Sequence, residues 1–296
     1  MKTIFLWFLN SFLTCATIIG LSIPISAHAS KGQASNGLEI AIVPYLPTPT
    51  ILERYQPLRD YLQQSLHETV TVVSAPDYPS FFESTQHREY QQIVITVAHA
   101  ARWAEMEAGY RPLLRPGFET NALLLVQKDS WFREVKDLRG KTIATPGPFA
   151  IVSQLGAEWL KKAGLNPGQD VTLLPSYTHS TAMHAVAEGA ADAAFISNRA
   201  YVAAKSDMKN LVRSLGHSKS GGPGVVYLAH PAMSEQRVAA FKLAVLAFVK
   251  TAKGKAFVES LGYDTLREIK SGELAMLDPY VHELKQVMRA NKPSKQ

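Results

Sequence analysis

Apolar positions follow two alternating rhythms along most of the chain. Short runs of aliphatic and β-branched residues at 38–43, 69–73, 93–97, 122–126, 141–144, 171–174, 193–196 and 225–228 predict strands. Nearly every position in them is apolar, as strands covered on both faces must be. Between them apolar residues recur at helical spacing. Leu52, Tyr55, Leu58, Leu62 and Leu66 mark one helix, which Pro57 is expected to kink or restart. Ile151, Leu155 and Trp159 mark another, ending at Ala163-Gly164 in a glycine C-cap. Strands alternating with helices predict an α/β fold with mainly parallel sheets. After Gly221-Gly222-Pro223-Gly224 and the strand at 225–228 the rhythm changes. Val238, Phe241, Val245 and Phe248, then Leu277, Tyr280, Val281, Leu284 and Met288, predict at least two amphipathic helices and an all-helical end to the chain.

The first residues follow neither rhythm. Lys2 precedes an apolar stretch broken by Asn10, Ser11, Gly20 and Pro24, and Ala27-His28-Ala29 then forms a small-residue cleavage pattern. The breaks come before the roughly 20 clean apolar residues that a membrane span needs. The expectation is a signal peptide at 1–29, cleavage after Ala29, and a periplasmic mature chain starting at Ser30.

Composition narrows the chemistry. With 296 residues, 46% hydrophobic and 19% charged, the chain can bury a real core and is neither collagen, coiled coil nor disordered. The one cysteine, Cys15, lies in the expected signal segment, so the mature chain has no disulfide, cysteine-zinc site or thiol nucleophile. The net charge of +6 is scattered, with bases beside acids in Glu53-Arg54, Arg133-Glu134 and Lys136-Asp137, which disfavours a nucleic-acid stripe. It is compatible with a small anionic ligand.

Motifs for nucleotide, metal and nucleophile chemistry fail in turn. Gly140-Lys141-Thr142 lacks the first P-loop glycine, the position being Val135, and it begins a strand instead of a helix. No Gly-x-Ser-x-Gly occurs, the nine histidines include no His-Glu-x-x-His, and His179 and His184 stand five apart. No metal and no cofactor is expected. What remains is a series of polar or aromatic residues that each follow a strand. In open α/β sheets the carboxyl ends of strands line the ligand crevice, and helix N-termini there offer free N–H groups. The candidate ligand-binding residues are therefore Tyr45, His99, Phe149, Ala150, Thr178, His179, Ser180 and Ser197.

Val43-Pro44-Tyr45-Leu46, the segment from Glu53 to Leu62, and Ala75-Pro76-Asp77-Tyr78-Pro79-Ser80-Phe81 together resemble the start of the phosphate/phosphite/phosphonate-binding proteins of ABC importers. Asp137-Leu138-Arg139-Gly140-Lys141-Thr142-Ile143-Ala144 resembles the entry to the second lobe of type II periplasmic binding proteins. Tyr177-Thr178-His179-Ser180 through Ala193 is similar to that family's Ser-His-x-x-Ala segment. The resemblance covers residues 38–233. It implies a two-lobed type II fold, with lobe 1 formed by 30–121 plus 228–296, lobe 2 by 122–227, and a hinge crossed twice. It also implies ligand contacts at Tyr45 and His179, a monomer, and an ABC permease as partner. A sensor docking on a membrane signalling protein would need the same trap, and an enzyme with His179 as acid/base is a third reading. One stretch departs from the family. Where a Ser/Thr-rich loop would grip a phosphonate, this chain has Pro146-Gly147-Pro148-Phe149-Ala150-Ile151-Val152-Ser153. Pro148 has no N–H; the helix N-terminus can still hold an anion through the amides of Phe149, Ala150 and Ile151, and Phe149 equally suggests stacking on a flatter or less charged ligand.

Overall fold

The computed structural model describes residues 37–219 and 221–291, so the expected signal peptide lies outside the described residues. The chain begins with β1 (Gly37–Ile42), α1 (Thr48–Leu66), β2 (Thr69–Val73), α2 (Tyr78–Gln86), β3 (Ile93–Val97), α3 (Ala98–Trp103) and β4 (Arg111–Pro116). It then crosses to β5 (Ala122–Gln127), β6 (Thr142–Thr145), α4 (Ile151–Lys162), β7 (Thr172–Pro175), α5 (His179–Ala187), β8 (Ala193–Ser197), α6 (Asn198–Ala203), α7 (Ser206–Leu211) and β9 (Val212–His217). It returns for β10 (Val225–Ala229), α8 (Glu235–Phe248), α9 (Ala252–Ser260), β11 (Leu266–Glu268) and α10 (Asp278–Ala290). Two sheets result, in the orders β11-β4-β10-β3-β1-β2 and β7-β6-β8-β5-β9.

Alternation along the central strands divides the first core. Ile40, Ile42, Ile93 and Ile95 pack with Ile51, Tyr55, Leu58 and Leu62 of α1 and with Phe241, Val245 and Phe257 of α8 and α9. Ala41, Val43 and Val94 face the other way, toward Phe81 and Phe82 of α2 and Leu284 of α10. The helix α1 continues through Pro57, which lies on the exposed side, so the helix does not restart there. Ile51 is the buried residue of its first turn, while Leu52 is exposed.

The structure corrects three expectations. β4, β9 and β11 were not expected as strands: Arg111, Pro112, Arg115 and Pro116 disrupt the apolar pattern of β4, and β9 and β11 are polar edges. With β11 present, the end of the chain is not all helical. The sheets are also mixed, because β10 runs antiparallel to β3 and β4 and β5 antiparallel to β8 and β9, whereas β1 with β2 and β3, and β6 with β7 and β8, are parallel. Each crossing delivers the chain to the end of a sheet where the parallel strands finish, so β5 and β10 must run back against them. Finally, β10 sits between β3 and β4, so residues 225–227 belong to the first sheet, and a second-lobe boundary at 227 is too late.

The crossings at 117–121 and 218–224 lie side by side. Thr120 N donates to Gly222 O at 2.7 Å and Gly222 N donates back at 3.2 Å. A Cβ on Gly224 would stand 2.5 Å from Thr120 Oγ1, so the close approach requires glycine. Arg115, fully buried, fixes the first crossing by donating to the carbonyls of Pro116 (2.9 Å) and Phe118 (2.8 Å) and to the carboxylates of Glu119 (2.8 Å) and Glu273 (2.6 Å). Hydrogen bonding from Arg267 pulls the Glu273 carboxyl down to about 2.

Candidate functional site

From the first sheet come Tyr45 and His99. After β1, Val43 N still donates to Ile95 O at 2.9 Å, and Tyr45 N then donates to Val43 O at 2.8 Å, which turns the chain and leaves the tyrosine at the strand end. Its hydroxyl is buried beside Tyr55 and Arg54, and burial raises its pKa against their opposing effect. His99 occupies the first turn of α3, fully buried, and no side chain pairs with either ring nitrogen. The backbone of Phe149 lies against the ring, and burial pulls its pKa down to about 3, so the imidazole is neutral.

From the second sheet, β6 runs into Pro146–Ala150 and then α4. Gly147 takes φ +115°, and Ser153 Oγ donates to Gly147 O at 2.7 Å, so this hydroxyl braces the loop. Ala150 is the N-cap, and no side chain caps the first amides of α4. Phe149 reaches across to the first half, where it stacks on Tyr78 (centroids 5.7 Å apart, planes 11° apart) and meets Phe82 edge-on at 6.1 Å. The face expected to stack on a ligand is thus spent on Tyr78.

His179 and Ser197 form a second pair, at the ends of β7 and β8. His179 Nδ1 accepts from Ser197 N at 3.2 Å, and burial pulls the imidazole down to about 4. It is neutral, with its proton on Nε2 as a donor. Ser197 Oγ accepts from Ala200 N at 3.0 Å, capping α6. Thr178 caps α5 by accepting from Thr181 N at 3.0 Å; both Thr178 and Ser180 are exposed. Of the eight candidates the structure therefore sets His99 against the backbone of Phe149, beside Ala150, places Tyr45 near Tyr78, on which Phe149 stacks, joins His179 to Ser197, and leaves Thr178 and Ser180 at the solvent.

Sequence reasoning missed Gln154, Thr96 and Tyr227. Each is buried with unpartnered polar side-chain atoms, both of them in the case of the Gln154 amide. A glutamine inside Ile151-Val152-Ser153-Gln154-Leu155 was the available signal, because a polar residue in so apolar a first turn needs a reason. On the same face of α4, Glu158 accepts from Tyr280 of α10, and Lys161 lies 3.6 Å from Glu283. These contacts hold the two halves together. An open groove of about 1000 Å³ lies elsewhere, between α1 and α9, lined by Glu53, Arg54, Asp60 and Lys253 among others. Among the described residues no group of three metal-ligating side chains could hold an ion, and no helix is long and apolar enough to cross a membrane.

Known structures share this architecture. A protein from Xanthomonas citri bound to chloride ion superimposes with a TM-score of 0.70 at 17% identity, covering 86% of this chain and 100% of that one. A binding protein component of an ABC phosphonate transporter from Pseudomonas aeruginosa gives 0.70 at 16% identity, covering 88% and 91%. PhnD1 from Prochlorococcus marinus in complex with methylphosphonate gives 0.73 at 13% identity, covering 85% and 99%. At these identities the likeness shows the two-lobed periplasmic binding protein fold. Residues 40–274 match the family described as ABC transporter, phosphonate, periplasmic substrate-binding protein, and that span is most of the chain: it belongs to this family.

Proposed function

We propose that the mature chain, starting at Ser30, is a monomer that takes a small oxyanion of the phosphonate class into the cleft between its halves and delivers it to an ABC permease, without chemical turnover. The observation that carries this is a set of buried polar groups: Gln154, with neither amide atom partnered, His99, with one ring nitrogen left bare when the other meets the Phe149 backbone, and the Tyr45 hydroxyl beside Tyr55 and Arg54. Buried polar groups are rarely left unpaired, because each costs about 1–3 kcal/mol. These belong to elements from both halves, beside the uncapped start of α4, where amides and dipole favour an anion. The methylphosphonate held by the Prochlorococcus relative supports the ligand class. Tyr45 and His99 would reach the ligand from the first half, and His179 Nε2–H, Gln154 and the α4 amides from the second.

Isothermal titration calorimetry with methylphosphonate, phosphite and phosphate tests the reading. At least one should bind without being converted, and Tyr45→Phe should weaken it about tenfold while leaving the ligand-free melting temperature unchanged. Absence of binding by all three would refute the oxyanion class.

A further inference from the structure

Which protonation state the cleft accepts follows from its acceptors, and this inference rests on the oxyanion reading above. Donors alone would suit any anion, but His99 and Gln154 are not donors alone. A neutral imidazole carries one bare ring nitrogen in either tautomer, and the glutamine side chain offers Oε1. His99 is fully buried, with one ring nitrogen at the Phe149 backbone and the other bare, and Gln154 is only 9% exposed with neither amide atom partnered. Their placement is shared: the His99 ring lies against the backbone of Phe149, one residue before the N-cap of α4, and Gln154 stands four residues after that cap. Gln154, Glu158 and Lys161 follow at i, i+4 and i+7, and the latter two reach α10, so Gln154 points at the same opposite half.

A sulfonate presents only acceptor oxygens at neutral pH, and so does a phosphonate dianion. Either would set lone pairs against the bare nitrogen and Oε1. A phosphonate monoanion carries one P–O–H. We infer that His99 and Gln154 select the singly protonated phosphonate, which alone can give its one P–O–H hydrogen bond to this acceptor pair, and this makes them determinants of specificity against sulfonates. The charged groups on the surrounding elements have partners of their own: Arg102 with Glu105 (2.9 Å) and Asp278 (2.7 Å), Glu158 with Tyr280, Lys161 with Glu283, and Glu107 with Lys285. Tyr78, also at this junction, is pushed up to about 12 by burial and stays protonated, and Tyr45 is raised as well. Arg54 stands beside the Tyr45 hydroxyl.

Calorimetry on the mature chain with methylphosphonate and methanesulfonate, at several pH values between about 6 and 8.5, tests this. Methylphosphonate affinity should fall as pH rises through its second ionisation, approaching tenfold per pH unit, and methanesulfonate should bind at least about tenfold more weakly than methylphosphonate at pH 6. Methanesulfonate keeps one charge throughout, so it reports any change in the protein itself. Gln154→Met, checked for an intact melt, should narrow the phosphonate-to-sulfonate ratio several-fold; if that variant fails to fold, the wild-type pH profile decides. Methylphosphonate binding that is independent of pH, or equal affinity for both ligands, overturns the selection while leaving the oxyanion reading intact. If neither ligand nor phosphate binds, both fall together.

Discussion

Two neutral, buried imidazoles make this fold acid-sensitive in a defined window. His99 falls from its ordinary value of 6.5 to about 3 and His179 to about 4, each chiefly through burial. Their folded pKa values lie below the unfolded one, so the unfolded chain binds protons first as pH drops. Stability is therefore full above about pH 6.5 and is lost from there down toward pH 4 and 3, where the folded protein protonates too. At pH 5 an unfolded histidine is about 1.5 pH units below its pKa, and at 1.36 kcal/mol per unit each residue costs about 2 kcal/mol, or about 4 kcal/mol together. His230, also lowered by burial, acts in the same direction. Glu273, by contrast, is depressed to about 2 and loses its contribution only below about pH 4.5, outside this window. Urea denaturation at pH 7.5 and 5 should thus show a drop of about 4 kcal/mol in the ligand-free protein, and about half of it in His99→Gln or His179→Gln. A flat profile, or single variants that keep the whole drop, would mean that the imidazoles are hydrated or paired and that the site is wetter than described.

Three other perturbations follow from the geometry. Phe149→Ala removes the ring lodged against Tyr78 and Phe82; it should shift the halves toward an open form in small-angle scattering, by about 1–3 kcal/mol, with a melting temperature lowered by only a few degrees. Gly156→Ala places a Cβ 2.5 Å from the fully buried Phe195 ring, and overpacking there should cost about 1–3 kcal/mol in chemical denaturation despite alanine's better helix propensity. Arg115→Met leaves Glu273 with one guanidinium fewer and the Phe118 carbonyl without its donor; a loss of about 3–5 kcal/mol is expected in the same assay.

Much of the fold was legible because buried parallel strands are continuous apolar runs, and 38–43, 93–97 and 193–196 each carried that signal. The strands beside the crossings were not. β4 contains two prolines and two arginines, and Arg115 is needed there as a buried brace for the crossing, a role that local pattern does not announce. At the site, strand-end position led to Tyr45, His99 and His179, since topology brings those ends together whatever the side chains. It could not separate Thr178, whose hydroxyl caps its own helix, from a ligand donor, because capping and binding ask for the same residue type. Gln154 was hidden for the opposite reason: it lies within a helix, and only the tertiary contact of α4 with α10 explains why that face is buried.

The same buried atoms bear on how the two halves close. The contacts across the cleft are modest: an aromatic stack and an edge contact at about 0.5–1.5 kcal/mol each, a hydrogen bond to the Glu158 carboxylate at about 1.5–3, and the exposed Lys161–Glu283 pair at no more than about 1. Against them stand the buried polar groups of Tyr45, His99 and Gln154, at about 1–3 kcal/mol for each one left unpaired. A ligand that pairs these groups removes the opposing side and leaves the contacts unopposed. Its differential affinity for the closed form then comes largely from relieving a penalty already present in the protein. That is why Gln154 and His99 matter more to closure than the Phe149 stack.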